Sequence, residues 1–208
     1  MAIKHPIGII INHPIFSLSI SNKMYIIHLN RGDSMEEIIL ARPNKQLKDK
    51  ALEYKQEHFD FGEYELHGGS LFDKLDYDEW LMLVEANSSE KTVKSGWVVS
   101  STFFAVRKID SKIIGMIDIR HSLNEFLRNY GGNIGYGVRP TERNNGYAVQ
   151  ILKQGLEYCK TIGLEKVMLA CYKDNQASSK TIIKCGGVLE KEFSYLNNKT
   201  VQVFWITI

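Results

Sequence analysis

Gly131-Gly-Asn-Ile-Gly-Tyr-Gly-Val-Arg-Pro-Thr-Glu-Arg-Asn-Asn-Gly-Tyr-Ala148 is the stretch on which the reading of this 208-residue chain turns. Asn133 to Val138 reads as a short glycine-containing strand, Pro140 ends it, and an amphipathic helix begins near Gly146. Ala148, Ile151, Leu152, Gly155, Leu156 and Cys159 recur at helical spacing, so one face of that helix is buried, and Gly163 stands where a C-terminal stop is expected. A strand, a tight loop and a helix start aim several backbone N–H groups and the positive end of a helix dipole at one spot. That arrangement suits a phosphate or pyrophosphate. Gly146 lets the anion approach the backbone without meeting a side chain. The alternative is a glycine turn into a helix with no ligand.

Two other anion loops are excluded. No Gly-Lys-Ser/Thr follows the glycines, and there is no Gly-x-Gly-x-x-Gly fingerprint. Arg143-Asn-Asn-Gly-Tyr-Ala148 instead resembles the Arg/Gln-x-x-Gly-x-Gly/Ala acetyl-CoA signature of the GNAT superfamily of N-acetyltransferases. Val138-Arg-Pro140 before it, and Asn175-Gln-Ala-Ser178 with Gly186-Gly187 after it, fall where that family has its cofactor strand and next helix. The resemblance runs from about Met35 to the C-terminus.

Composition narrows the partners. A formal charge of +2, from 26 basic and 24 acidic residues, offers no basic field for nucleic acid, so none is expected. Cys159, Cys171 and Cys185 fit neither a disulfide framework nor a metal spacing, and read as reduced core residues of a cytoplasmic protein without a metal. Ile7 to Ile20 is apolar but broken by Asn12, His13 and Pro14. It is too short to span a bilayer and lacks a signal-peptide cleavage pattern, so neither membrane nor export is expected.

Residues 1–34 read as an extension of unclear role, and residues 35–208 as the domain. Glu36 to Ala41 alternates into a strand, and Asn44 caps a helix whose apolar positions are Leu47, Ala51, Tyr54 and His58. Phe59 to Phe72 has no helical period and reads as a surface loop. Asp76 with Glu79 forms a capping-box-like pair for a helix burying Tyr77, Trp80, Leu81 and Val84. Val98 to Arg107 and Ile113 to Ile119 read as a hairpin, and Ser122 as the cap of a short helix reaching Tyr130. The apolar run Val167 to Cys171 reads as a buried strand, parallel to the central one. Asp174 or Asn175 starts a last helix, and Val188 to Leu196, the Asn197-Asn198-Lys199 turn and Val201 to Thr207 form a terminal hairpin. The expected fold is α/β: a mixed, mostly antiparallel central sheet with helices on both faces.

The resemblance implies a function: transfer of an acetyl group from acetyl-CoA, as co-substrate, to a primary amine by direct attack in a ternary complex. In the family the pantetheine arm enters a gap between the central strand and the one after it. By resemblance, the Val138 N–H polarises the thioester carbonyl, Arg143, Asn144, Asn145, Gly146, Tyr147 and Ala148 hold the pyrophosphate, and Asn175 and Ser178 contact the pantetheine or order its loop. Both of the latter also suit a helix cap. The acceptor is a small molecule or a peptide, with protein N-termini, amino acids, polyamines and aminoglycosides all compatible. An acidic and aromatic loop beside the acceptor favours a cationic amine. A homodimer is compatible with the family.

The chain departs from the family pattern at two places. The tyrosine general acid of many members is replaced by Ile182, and a glutamate base at the start of the central strand by Gly132. His121, Tyr136 and Asp118 remain near the central strands, with His121 and Tyr136 as the catalytic candidates and a water relay as their rival. A non-catalytic acetyl-CoA-binding sensor, and a nucleotide-binding protein using the same anion loop, are the competing functions.

Overall fold

The computed structural model describes residues 36–195 and 198–208. The expected extension therefore lies outside the described residues, as do Leu196 and Asn197 of the terminal turn. Strand β1 (Ile38–Ala41) is followed by a 3₁₀ turn, Lys45–Leu47, in which Asn44 accepts from the Gln46 and Leu47 N–H groups. That turn leads into α1 (Lys48–Asp60), which buries Ala51, Tyr54 and His58. Helix α2 (Tyr77–Asn87) is capped by the Asp76 carboxylate on the Asp78 and Glu79 N–H groups, which satisfies two first-turn donors. Strands β2 (Ser100–Arg107), β3 (Ile113–Arg120) and β4 (Ile134–Val138), then α3 (Tyr147–Thr161), β5 (Lys166–Tyr172), α4 (Gln176–Lys184), β6 (Val188–Ser194) and β7 (Thr200–Thr207), complete the chain.

The strands form an antiparallel sheet of order β1-β2-β3-β4 and a second of order β5-β7-β6. Helices cover both faces, as the hydrophobic pattern requires. On one face α3 and α4 bury Ile151, Leu152, Leu156, Cys159 and Ile182 against Ile117, Ile119, Val167, Leu169 and Phe204. On the other, α1, α2 and the loop between them bury Tyr54, Leu66, Phe72, Tyr77 and Trp80 against Phe104 and Met116. Each fully buried large apolar side chain contributes about 1.5–3 kcal/mol. The Trp80 indole N–H donates to the Gly69 carbonyl at 2.7 Å, so this aromatic core also fixes the loop.

Two expectations need correction. All strand ladders among the described residues are antiparallel, and β4 and β5 form no parallel ladder: they meet at an isolated bridge between Gly132 and Leu169. The reason lies in Asn133. Its side-chain Oδ1 accepts from the Met168 N–H at 2.9 Å while its own N–H donates to the Met168 carbonyl at 2.7 Å. The side chain supplies a bond that a strand carbonyl would otherwise make, and the pairing ends there. The short helix before β4 begins at Glu125, with a π-helical turn over Leu127–Gly131, and its cap is Asn124, whose Oδ1 accepts from the Leu127 N–H, in place of Ser122.

Candidate active site

Beyond Asn133 the β4 edge that faces β5 carries no ladder. Gly135 opposite Asp118 and Gly137 opposite Met116, flanked by the Arg120 N–H to Asn133 carbonyl and Arg139 N–H to Ile114 carbonyl bonds, turn their main-chain groups toward β3. The alternation then leaves the N–H and C=O groups of Tyr136 and Val138 at the open edge. A cleft of about 710 Å³ lies along it, lined by Tyr136, Gly137, Val138, Arg143, Asn144, Gly146, Tyr147, Ala148, Asn175, Ser178 and Thr181 among others. Where α3 begins, Asn144 (φ 65°) and Gly146 (φ 78°) adopt the left-handed conformation, which glycine accepts without strain. First-turn N–H groups of a helix have no partner one turn earlier, so the α3 N-terminus offers donors to an anion. An open strand edge leading to a helix N-terminus fits a pantetheine arm and a pyrophosphate in succession.

The six signature residues do not all face this cleft. Asn145 does not line it, and its Nδ2 donates to the Glu142 carbonyl at 3.4 Å, closing the preceding turn. Arg143 lines it but is engaged: its guanidinium meets Glu63 through two bonds of 2.6 Å, and its Nε donates to the Val138 carbonyl. Glu63 in turn lies 2.8 Å from His58 Nδ1. The bonds from Arg143 first, and His58 second, pull the Glu63 carboxyl down to about 2 against the effect of its partial burial. Burial pushes His58 below the usual imidazole range despite Glu63. The Tyr54 hydroxyl, His58 Nε2 and Arg139 Nη2 are buried under the same loop without a protein hydrogen-bond partner.

A second cavity of about 900 Å³ lies on the other side of the loop that follows α1. Trp97, Phe126 and Tyr130 give it an aromatic wall, and Glu65, Asp73, Asp118, Lys74 and Arg120 its charges. Asp118 is held by Thr102 Oγ1 at 2.9 Å and by Arg120 Nε at 3.2 Å, so it is a structural anion of the floor. Glu65 and His67 line both cavities. Sequence reading missed this pair, because a loop without periodicity gives no sign of which side chains it places at a cavity.

The two catalytic candidates part company. Tyr136 projects from β4 toward α4, its hydroxyl 3.1 Å from Ser178 Oγ, and burial first of all raises its phenol to about 12. It therefore keeps its proton at neutral pH. His121 lines neither cavity: its Nε2 is 3.0 Å from Ser101 Oγ, which is 2.8 Å from the Tyr158 hydroxyl on α3. Strand alternation explains the difference, since Ser100, Asp118 and Arg120 face the second cavity while Ser101 turns to the helix side. Asn175 and Ser178 both line the cofactor cleft, and Asn175 Oδ1 also caps α4 through the Ser178 N–H at 3.0 Å. Ile182 is buried in the core, so Ala177, Ser178 and Thr181 are the α4 residues at the cleft. Burial raises the thiols of all three cysteines, Cys159 to about 12.

The fold and the cleft define a class, and comparison agrees with it. The family model for the acetyltransferase (GNAT) domain matches residues 42–188, and the chain belongs to that family. No curated protein matches the sequence. Among solved structures, the GNAT-family acetyltransferase from Streptococcus pneumoniae is 18% identical, with a TM-score of 0.60 over 83% of this chain and 99% of that one. The microcin C7 self-immunity acetyltransferase MccE, solved in complex with acetyl-CoA and AMP, is 17% identical, with a TM-score of 0.60 over 85% and 94%. A spermidine N-acetyltransferase chimera of Vibrio cholerae SpeG and hSSAT is 17% identical, with a TM-score of 0.56 over 82% and 95%. At these identities the likeness is one of fold. The protein is a GNAT-type, acetyl-CoA-dependent acetyltransferase. Among the described residues no helix is long and apolar enough to cross a membrane, and no cluster of His, Cys, Asp or Glu is able to hold a metal.

Proposed function

We propose that the protein transfers the acetyl group to a primary amine by direct attack within a ternary complex. The observation that carries this reading is that one loop lines two cavities through Glu65 and His67: one runs to the α3 N-terminus, the other has an aromatic and carboxylate-bearing wall. When bound, acetyl-CoA supplies an activated acyl carbon. The chain does the rest. The α3 N-terminus and the Asn144–Gly146 turn hold the pyrophosphate, and the open edge of β4 orders the pantetheine. The Val138 N–H meets the carbonyl oxygen where negative charge grows, which is worth the most when water is excluded. Tyr136, kept protonated by burial, donates toward the departing sulfur. Holding amine and acyl carbon side by side removes much of the entropic barrier, so no enzyme nucleophile is needed. The raised cysteine thiols support the same conclusion. Trp97, Phe126 and Tyr130 with Glu65 favour a cationic amine as acceptor. A panel of peptide N-termini, amino acids, polyamines and aminoglycosides, read by release of free CoA, tests the reading. Tight CoA binding with no transfer to any amine would support the sensor function instead.

A further inference from the structure

We propose that His67 is the base that takes the proton of the acceptor amine; this rests on the acetyl-transfer reading above. Glu65 and His67 are the residues common to the linings of the two cavities, so an acceptor in one and an acyl carbon in the other would both lie beside this loop. The loop that carries His67 is pressed onto β4. A Cβ on Gly68 would come within 2.8 Å of the Gly135 and Met116 carbonyls, and one on Gly137 within 2.6 Å of the His67 carbonyl. Buried Leu66 on one side and Phe72 on the other anchor the same loop. The main chain of His67 is thereby fixed against the strand whose other edge is open, while its side chain stays 62% exposed. Its Nδ1 lies 3.9 Å from Glu65 Oε1, beyond hydrogen-bond distance.

An imidazole nitrogen takes a proton from an amine and gives it up again to solvent, which suits general-base work. The charged and titratable groups around the two cavities are Glu63, Tyr64, Glu65, Asp73 and Lys74 on the same loop, Asp118 and Arg120 from β3, Tyr130 before β4, Tyr136 from β4, Arg143 before α3 and Tyr147 at its start. Of these, Glu63 is paired with Arg143, Asp118 with Arg120, and Asp73 with Lys74, and Glu65 is the carboxylate 3.9 Å from the ring. In the step, the ammonium of the acceptor first gives a proton to His67, which releases it to solvent. The neutral nitrogen then bonds to the acyl carbon, and the carbon–sulfur bond breaks with its electron pair going to sulfur. The second proton of the nitrogen passes to His67, and Tyr136 gives one to the sulfur. Between turnovers His67 releases its proton to solvent and Tyr136 regains one.

The experiment compares wild type, His67→Ala and Glu65→Gln in acetyl transfer to the best amine of the panel across pH, with CoA affinity measured by calorimetry. His67→Ala is expected to lose about 10²-fold in kcat/KM at neutral pH, together with the rising limb of the profile. Its CoA affinity should be unchanged, and free imidazole in the buffer should restore part of the rate. Glu65→Gln should lose less and keep the limb. A wild-type profile in His67→Ala would overturn the assignment. A loss that neither imidazole nor higher pH restores would make His67 a positioning residue and would also overturn it. If wild type acetylates no amine at all, the acetyl-transfer reading falls and takes His67 with it, an outcome distinct from equal turnover by both proteins.

Discussion

Glu63→Gln isolates the pair that holds Arg143 at the cofactor cleft. The carboxyl of Glu63 falls from an ordinary 4.5 to about 2 in the folded protein, with the two Arg143 bonds as the leading cause. At about 1.4 kcal/mol per pKa unit, the ceiling on its contribution is about 3.4 kcal/mol. The side chain is 34% exposed, so solvent screening brings this to about 1–2 kcal/mol. A group with a depressed folded pKa contributes stability above its unfolded pKa and loses it as pH falls toward the folded one. At pH 7, Glu63→Gln should therefore be less stable than wild type by about 1–2 kcal/mol, and the gap should close between pH 4.5 and about 2. Urea titrations of both proteins at several pH values read this directly. The same variant releases Arg143 for the pyrophosphate, so CoA should bind about 5-fold more tightly, the equivalent of about 1 kcal/mol. A constant stability gap between the two proteins down to pH 2 would refute the reasoning, because the carboxylate would then contribute nothing through its charge.

Gly146→Asp places a carboxylate at the α3 N-terminus, on a residue whose φ is 78°, and should abolish CoA binding in calorimetry while circular dichroism still shows a folded chain. Lys153→Ala, farther along α3, should leave the affinity as it is. A chain starting at Met35 should keep its melting temperature within a few degrees and its CoA affinity; failure to fold would show that residues 1–34 belong to the domain. Incubation with acetyl-CoA and no acceptor should give no acetylated protein by mass spectrometry, because burial raises all three thiols. A stoichiometric adduct that chases onto the amine would overturn direct transfer.

What the residues revealed was local. The α3 stripe, the Asn44 and Asp76 caps and the β2–β3 hairpin each arise from spacing within one segment, and each stands within a few residues of its expected limits. The glycine turn into α3 was legible for the same reason. What escaped depends on where segments meet. Residue 121 follows the last residue of β3, and a single step along the chain separates the cavity face from the α3 face, so spacing alone did not tell His121 from Arg120. Ile182 is buried in the core, and that Tyr136 reaches toward the same helix from β4 is a matter of the gap between two sheets. Glu65 and His67 lie in a loop whose path is set by Leu66, Phe72 and Trp80, residues that look like ordinary core.

Asn133 gives the molecule a mechanical asymmetry. Its side chain rivets the two sheets at one end: Oδ1 takes the Met168 N–H, and Nδ2 donates to the Arg120 carbonyl at 3.1 Å. Toward the far end of the slot the two plates are spanned by the apolar layer of α3 and α4, which is greasy and non-directional where the rivet is not. The plates would then shear most easily about Asn133. A ligand lying along the slot would stitch the free edge of β4 and stiffen that motion. Amide exchange at Tyr136 and Val138 should then slow on ligand binding, more than at Gly135 and Gly137, whose main-chain groups already face β3.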